Sequence, residues 1–587
     1  MRLVFFALIL AACSQPALDF ASAALPIKES PEPPRHTPRW AFLPWVSKDI
    51  SNGPDHREFV DGFIQRDIPI GVGVLDSPWE TNYNTFVPNP ARYPEFNTMV
   101  ADLNAKGVRT VLWITSLVNE TSFDAEMGGD TYVGASPNLA AGRRGRHFVD
   151  NGKTFLWWKG QGATVDFFKE DSVAWWHRQQ DALLEAGVSG WKLDFGEEYA
   201  ESAGFDTAIG TVTRAAYREA YYRDFLAYGM ARRGRDEFTT MSRPYDKSYT
   251  FEGHFFARKE HCPIGWVGDN RRDWVGLADA LDHLMRSAEA GYVVIGSDVG
   301  GYLDIDDTNL ASPKIPVSQV NFVRWTAVAA LTPFFQLHGR GNLAPWTMPE
   351  RPDETVAIYR YWAKLHTQLV PFFYSLAEEA YANGGVIMHP MGNEADQWRG
   401  YQFVVGEAFL VAPILSDTGV RNVELPAGAD WLDWWSKTSS PGGTTLTDYD
   451  STDRARMPLF VRQGAIVPMD VRDDSTGLGT LASGGMLTVL WYPGTGMSRF
   501  VLHEEDDSTT VLGAMGRSLV MTRLVKNTKV RVLTSASGVS LNGRALPLLA
   551  SEAALDMAAE GYVSLGATAT VVKVPATTAE ARLELTP

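Results

Sequence analysis

The segment Gly187–Glu198, GVSGWKLDFGEE, decides how the rest of the chain is read. A short apolar run ends in Asp194, beside Lys192 and the turn residue Gly196, and two further acids follow at Glu197 and Glu198. At the C-terminal end of a barrel strand, an aspartate followed by such a turn points into the mouth where (β/α)8 enzymes do chemistry. Taken alone, Asp194 serves equally well as the cap of a following helix. A second segment separates the two readings. Ile264–Asn270, IGWVGDN, repeats the format: apolar residues, Trp266, a glycine, then the terminal Asp269. Two carboxylates at the ends of different strands, flanked by aromatic rings, are what glycoside hydrolysis requires.

Working outward, strand-like and helix-like segments alternate from about Arg39. The strands are WAFLPWV, IGVGVLD, RTVLWIT, GWKLDF, EFTTMSR, IGWVGD, YVVIGSD and PFFQLHG, with helical patterns between most of them. Eight such units predict an α/β fold, a parallel (β/α)8 TIM barrel over residues 39–382. A doubly wound sheet would show a glycine-rich phosphate turn after an early strand, and the sequence has none. One connection, residues 116–169, is oversized, and its tryptophans and glycines predict an ordered loop over the barrel mouth. Beyond residue 382 the pattern becomes alternating and turn-bounded. It predicts two small all-β sandwich domains, proximal at 383–480 and distal at 481–587.

With 587 residues the chain exceeds a single core. A formal charge of −17 argues against nucleic acid as partner. Met1-Arg2, the apolar run from Leu3 and the small residues at its end have the layout of an export signal over 1–23. Leu10-Ala11-Ala12-Cys13 resembles the lipobox of bacterial lipoproteins, which places a lipid on Cys13; cleavage after Ala21-Ser22-Ala23 is the rival. Residues 24–38, ALPIKESPEPPRHTP, read as an extended tether. The expected location is therefore the periplasm, or the outer membrane through a lipid anchor, and that anchor is the only membrane contact expected. The other cysteine is Cys262, so no intrachain disulfide is expected in a processed form.

The segments, in their order, resemble glycoside hydrolase family 31, the retaining α-glucosidase and α-xylosidase family. KLDFGE resembles its nucleophile segment in the lysine-bearing form, and GWVGDN its acid/base segment. GSDVGGY (Gly296 to Tyr302), VRWTAVAALTPFFQLHG (Val323 to Gly339), LDSPW (Leu75 to Trp79), FLWWKGQGATVDFF and MPLFVRQGAIVPM also fit. The resemblance implies Asp194 as nucleophile and Asp269 as acid/base. It further implies a sugar site built from Asp76, Trp158, Lys192, Trp266, Asp298 and His338, with Trp45 or Trp113 completing the floor. Arg243, in TTMSRPYD, is a further candidate for the sugar or for a structural ion pair. The expected substrate is a terminal α-linked sugar, cleaved by double displacement. The chemistry requires no cofactor, and the sequence holds no clustered histidines or oxygen-ligand loop for a metal.

Three departures from the family pattern bear on specificity. His261, near Arg258, stands about where many members carry an arginine before the acid/base tryptophan, and Gln336 replaces a second arginine; in the family these positions touch or support the sugar ring, which makes His261 a substrate-binding candidate. The large β-sandwich that usually precedes the barrel is nearly absent, and the 116–169 insertion is expected to supply its wall. These changes predict poor cleavage of α-glucosides relative to α-xylosides or α-galactosides. Competing readings are a melibiase-like α-galactosidase, a transglycosylase of the same family, and a catalytically silent sugar-binding lipoprotein.

Overall fold

The computed structural model describes residues 32–123, 132–249 and 252–587. The export signal, Cys13 and residues 24–31 of the tether lie outside these residues. The remainder of the tether is not free chain. Thr37 is fully buried and its Oγ1 donates to the Pro263 carbonyl at 2.7 Å, while His36 Nδ1 bonds Glu378 at 3.0 Å. Proline fixes an extended backbone, and an extended backbone packs on a surface as readily as it spans solvent.

Eight parallel strands form the barrel: β1 Trp45–Lys48, β2 Val72–Leu75, β3 Arg109–Ile114, β4 Gly190–Leu193, β5 Thr239–Ser242, β6 Ile264–Trp266, β7 Ile295–Val299 and β8 Gln336–Leu337. The seventh is interrupted at Ser297. Its first half pairs with β6 (Gly265 opposite Ile295) and its second with β8 (Asp298 opposite Gln336), which closes the sheet on itself. Helices follow most strands: α1 Gly53–Gln65, α2 Phe96–Ala105, α4 Glu170–Glu185, α5 Arg214–Arg233, α6 Trp274–Glu289, α7 Gln319–Ala330, and the pair α8 Pro352–Gln368 and α9 Val370–Asn383. The barrel strands are short and almost wholly buried, because a parallel strand between barrel interior and helix layer has no face to water.

Two connections depart from the regular unit. Among the described residues, β5 reaches β6 without an α-helix. The chain makes a small hairpin, Tyr245–Asp246 with His254–Phe255, and returns antiparallel beside its own start, where Ala257 N donates to Arg243 O at 3.0 Å. The other is the long insertion, which holds α3 (Pro137–Gly145) and an antiparallel sheet of Leu117–Ser122, Gly160–Thr164 and Phe155–Trp157. Its residues 124–131 lie outside the described set. Trp157 of this sheet packs with Tyr83, Trp113 and Leu117, so the insertion is anchored to the barrel mouth by aromatic burial.

After α9 a six-stranded sheet runs from Met388–Pro390 to Leu459–Arg462, beside a two-stranded ribbon. A five-stranded sheet beginning at Ile466–Met469 and a six-stranded sheet ending at Ala581–Thr586 then share one core, which includes Trp491, Val530, Leu512 and Leu583. The change between modules therefore falls at Gln463–Ala465, not near residue 480. MPLFVRQGAIVPM reads as one strand-rich run, but Gly464 (φ +94°) breaks it and sends its two halves to different sheets.

Candidate active site

Asp194 directly follows β4. Its N–H still donates to Ile114 O of β3 at 3.0 Å, so the strand register carries it to the barrel mouth. Its Oδ1 accepts from Phe195 N at 2.9 Å and its Oδ2 from Trp113 Nε1 at 3.0 Å. Asp269 follows β6 after Gly268, which takes φ +89°; a Cβ there would come within 2.2 Å of the Asp246 carboxylate. Glycine is thus required for the turn that presents Asp269. The backbone N–H of Asp269 donates to Ser248 Oγ at 3.0 Å, and the Tyr249 hydroxyl donates to its Oδ2 at 3.0 Å.

Arg243, just past β5, joins the two carboxylates. Its Nη2 lies 3.1 Å from Asp194 Oδ1 and 3.0 Å from Asp269 Oδ2, while Nη1 pairs with Asp246. The guanidinium is buried between the rings of Phe195 and Trp266, 4.5 Å from each centroid. Because one nitrogen reaches both oxygens, those two oxygens stand no more than about 6 Å apart, which is compatible with the ~5–5.5 Å between the carboxyl groups of retaining glycosidases.

Burial raises the Asp194 carboxyl, and the Asp269 charge adds to this against the pull of Arg243 and Lys192. Burial also pushes Asp269 upward, but Arg243, Lys192 and the bonds from Arg243 and Tyr249 outweigh it and leave it below its ordinary value. Burial alone therefore does not lift Asp269 above its ordinary value, as its role as general acid requires. The arginine that both carboxyls share ties their titrations together.

A second cluster occupies the opposite side of the mouth. Lys192, one side-chain repeat before Asp194 on β4, donates from Nζ to Asp76 Oδ2 at 2.8 Å and lies 3.3 Å from His338 Nδ1. His338, just past β8, is held by Asp49 Oδ1 at 2.7 Å on Nε2 and by Asp298 Oδ2 at 3.4 Å on Nδ1. Burial and Lys192 push the imidazole down, but Asp49 and Asp298 prevail and lift it to about 10. Burial likewise opposes the Lys192 charge, and Asp76, Asp298 and Asp194 hold it well above its ordinary value. Asp49, Asp76 and His338 offer ligand atoms within 4.8 Å of one another, but the Lys192 ammonium stands beside them, so the protein supplies its own cation there.

A pocket of about 100 Å³ lies between the two clusters. It is lined by Asp76, Trp113, Trp158, Lys192, Asp194, Arg243, Asp269 and His338, all singled out from the sequence. Four other candidates stand elsewhere. Trp266 lies beneath the pocket as an aromatic base under Lys192 and Arg243. Asp298 stands behind His338 and accepts from Gln336 Nε2 at 2.5 Å. His261 is buried against Glu219 of α5, and Trp45 bonds Ala41 O at the barrel foot. Glu197 and Glu198 do not line the pocket; Glu198 pairs with Arg214 and Arg218. Asp49, Tyr249, Tyr302 and Arg340 line it and were not foreseen. Asp49 was legible, since it holds the same first position past its strand as Asp76 and Asp194. Tyr249 was not, because an irregular loop carries it. A larger groove of about 950 Å³ lies at the barrel foot and holds none of these strand-end residues.

Residues 34–376 match the family description Glycosyl hydrolases family 31 TIM-barrel domain, and residues 384–467 match the Glycosyl hydrolase family 31 C-terminal domain. The chain belongs to glycosyl hydrolase family 31. Its relatives in the family include alpha-glucosidase 2 of Bacillus thermoamyloliquefaciens, 25% identical over 487 residues, covering 80% of this chain and 58% of the relative. An alpha-xylosidase of Emericella nidulans is 24% identical over 466 residues, covering 75% and 54%. The chain thus spans about half the length of the relatives it matches. Among solved structures, the cycloalternan-forming enzyme of Listeria monocytogenes superposes with a TM-score of 0.79 at 20% identity, over 94% of this chain and 54% of that one.

Proposed function

We propose that the protein is a retaining α-glycoside hydrolase acting on a terminal sugar. The observation that carries this reading is the shared Arg243 nitrogen, which holds Asp194 and Asp269 close enough for the retaining mechanism in a pocket at the barrel mouth. Asp194 attacks the anomeric carbon while Asp269 protonates the leaving oxygen. Asp269 then deprotonates a water that releases the sugar with its configuration retained. Formation of the glycosyl ester removes the Asp194 charge, which lowers Asp269 further and suits it to the base role of the second step. Asp269 must first gain a proton, so substrate entry has to weaken its bond to Arg243.

The pocket, at about 100 Å³, is smaller than the ~300–1,000 Å³ typical of drug-sized ligands and suits one terminal residue. The names of the relatives make α-glucosides and α-xylosides candidates, with α-galactosides beside them. His261 and Gln336 do not line the pocket, so the preference rests on the residues that do. Trp158, Tyr199 and the exposed Leu310 form an apolar rim on which an acceptor sugar can stack, which favours transfer to a sugar as a second outcome.

A panel of nitrophenyl α-glucoside, α-xyloside, α-galactoside and α-N-acetylgalactosaminide, with the product anomer read by NMR, tests the reading. Retention on at least one is expected, and no turnover on any leaves only a sugar-binding protein. From the N-terminal sequence alone we also propose export with a lipid on Cys13. Membrane fractionation that Cys13→Ser abolishes is expected, and a wholly soluble wild type starting near Leu25 overturns it.

A further inference from the structure

Asp49 is built into the pocket more firmly than any step of the double displacement requires. It is the first residue past β1, and one side chain fixes its backbone on both sides. Asp49 N donates to Asn342 Oδ1 at 2.8 Å, and Asn342 Nδ2 donates to Asp49 O at 2.8 Å. Its Oδ1 accepts from His338 Nε2 at 2.7 Å. Its Oδ2 is buried and receives a hydrogen bond from no described residue, although Asp49 is only 4% exposed and lines the pocket. The neighbouring Asp76 differs: its Oδ1 accepts from Ser77 N and its Oδ2 from Lys192 Nζ, both at 2.8 Å. A buried carboxylate oxygen without a donor is costly, and a ligand that supplies the donor recovers that cost on binding.

We propose that Asp49 is a specificity-determining residue whose Oδ2 accepts a hydrogen bond from a hydroxyl of the terminal sugar remote from its anomeric carbon. The anomeric carbon must lie between Asp194 and Asp269, on the Arg243 side. Asp49 stands across the pocket, beyond Lys192 and His338, and so meets the far edge of the ring. The substrate class is then a terminal sugar that presents a hydroxyl donor at that edge. An analogue lacking it leaves Oδ2 without a donor and is rejected, because a hydrogen bond to a charged group is then lost on binding.

This proposal rests on the reading of the pocket as a sugar site, and its test uses binding so that the two fail separately. Titration calorimetry measures Kd for glucose, galactose and xylose, and then for the 3-, 4- and 6-deoxy analogues of the tightest, on wild type, Asp49→Ala and Asp49→Asn. On wild type one deoxy analogue is expected to bind about 10- to 100-fold more weakly than its parent, the effect of losing one hydrogen bond to a charged group. On Asp49→Ala that ratio should fall to within about threefold. Asp49→Asn, which can still accept from His338, should remain folded, with a Tm lowered by a few degrees at most, and still lose most of the ratio. Uniform weakening of all sugars on Asp49→Ala marks a purely structural role and overturns the proposal. So does a wild type that binds every analogue equally or binds no monosaccharide. Asp49-dependent selectivity without turnover of any α-glycoside would leave the proposal standing and remove the glycosidase.

Discussion

Two histidines, His338 at the mouth of the barrel and His366 near its foot, are both almost completely buried, yet one is charged and the other neutral. His338 sits between the carboxylates of Asp49 and Asp298 and is lifted to about 10. His366, on α8, sits between the backbone carbonyls of Ala330 and Phe42, and burial takes it down to about 4. Its neutral ring carries one N–H and can donate to only one of those carbonyls at a time. Burial is common to both, so the partners decide the charge. The mouth concentrates paired ions, which are weak evidence for stability and strong preparation for a polar ligand. The foot uses neutral groups that join elements.

The largest effect should come from removing the nucleophile at the mouth. Asp194→Ala is expected to lower kcat by at least about 10⁴-fold. Azide should restore turnover with inverted product, because a small anion fits the space of the missing carboxylate. Residual activity with wild-type character would refute the assignment.

Arg243→Lys comes next. A lysine keeps the charge but has one nitrogen in place of the fork that binds Asp194, Asp269 and Asp246 together, so kcat/KM should fall by about 10²–10³-fold. With less positive charge shared between them, the pair ionises at higher pH, and the acid limb of the pH–rate profile should move upward. An unmoved limb would show that Arg243 does not govern the pair.

The two histidines should also act on stability in opposite pH windows. His338 is raised above its unfolded value of 6.5, so its contribution is complete below pH 6.5 and is lost as pH rises through about 10. His366 is depressed, so its contribution is complete above pH 6.5 and is lost as pH falls through about 4. The apparent Tm of wild type minus His338→Asn should therefore shrink by a few degrees from pH 6.5 to 10. The same difference for His366→Asn should shrink from pH 6.5 to 4. Parallel curves would remove the contrast.

The smallest effect on chemistry is expected at His261. Because it packs on Glu219 and does not line the pocket, His261→Gln should lower Tm, by roughly 1–3 kcal/mol in stability, and leave the sugar preference within about twofold. A reordered preference would return specificity to the position that aligns with a family arginine.

The sequence made the strand ends legible. Asp76, Lys192, Asp194, Asp269 and His338 were readable because each ends or closely follows an apolar run, and a parallel barrel brings every such end to one face. Trp266 lies on its expected strand but does not line the pocket. The arginine above it, from the end of the preceding barrel strand β5, takes the space between its ring and the pocket. The sheet change at Gln463–Ala465 was hidden because both halves of the run are equally strand-like, and only pairing distinguishes them.

What the sequence determined by itself is periodicity and strand-end chemistry: the barrel, the all-β region after it, and the two aspartates that face each other across its mouth. Local patterns suffice for these, since alternation and strand termini are properties of neighbouring residues. Only the tertiary structure decided that Arg243 joins those aspartates, that Asp49 and Asp298 hold His338 charged, and that His261 and Gln336 do not line the pocket. Each of these is a contact between residues remote in sequence, and charge and hydrogen-bond state depend on the partner that folding brings within about 3 Å, not on the residue's own neighbours along the chain.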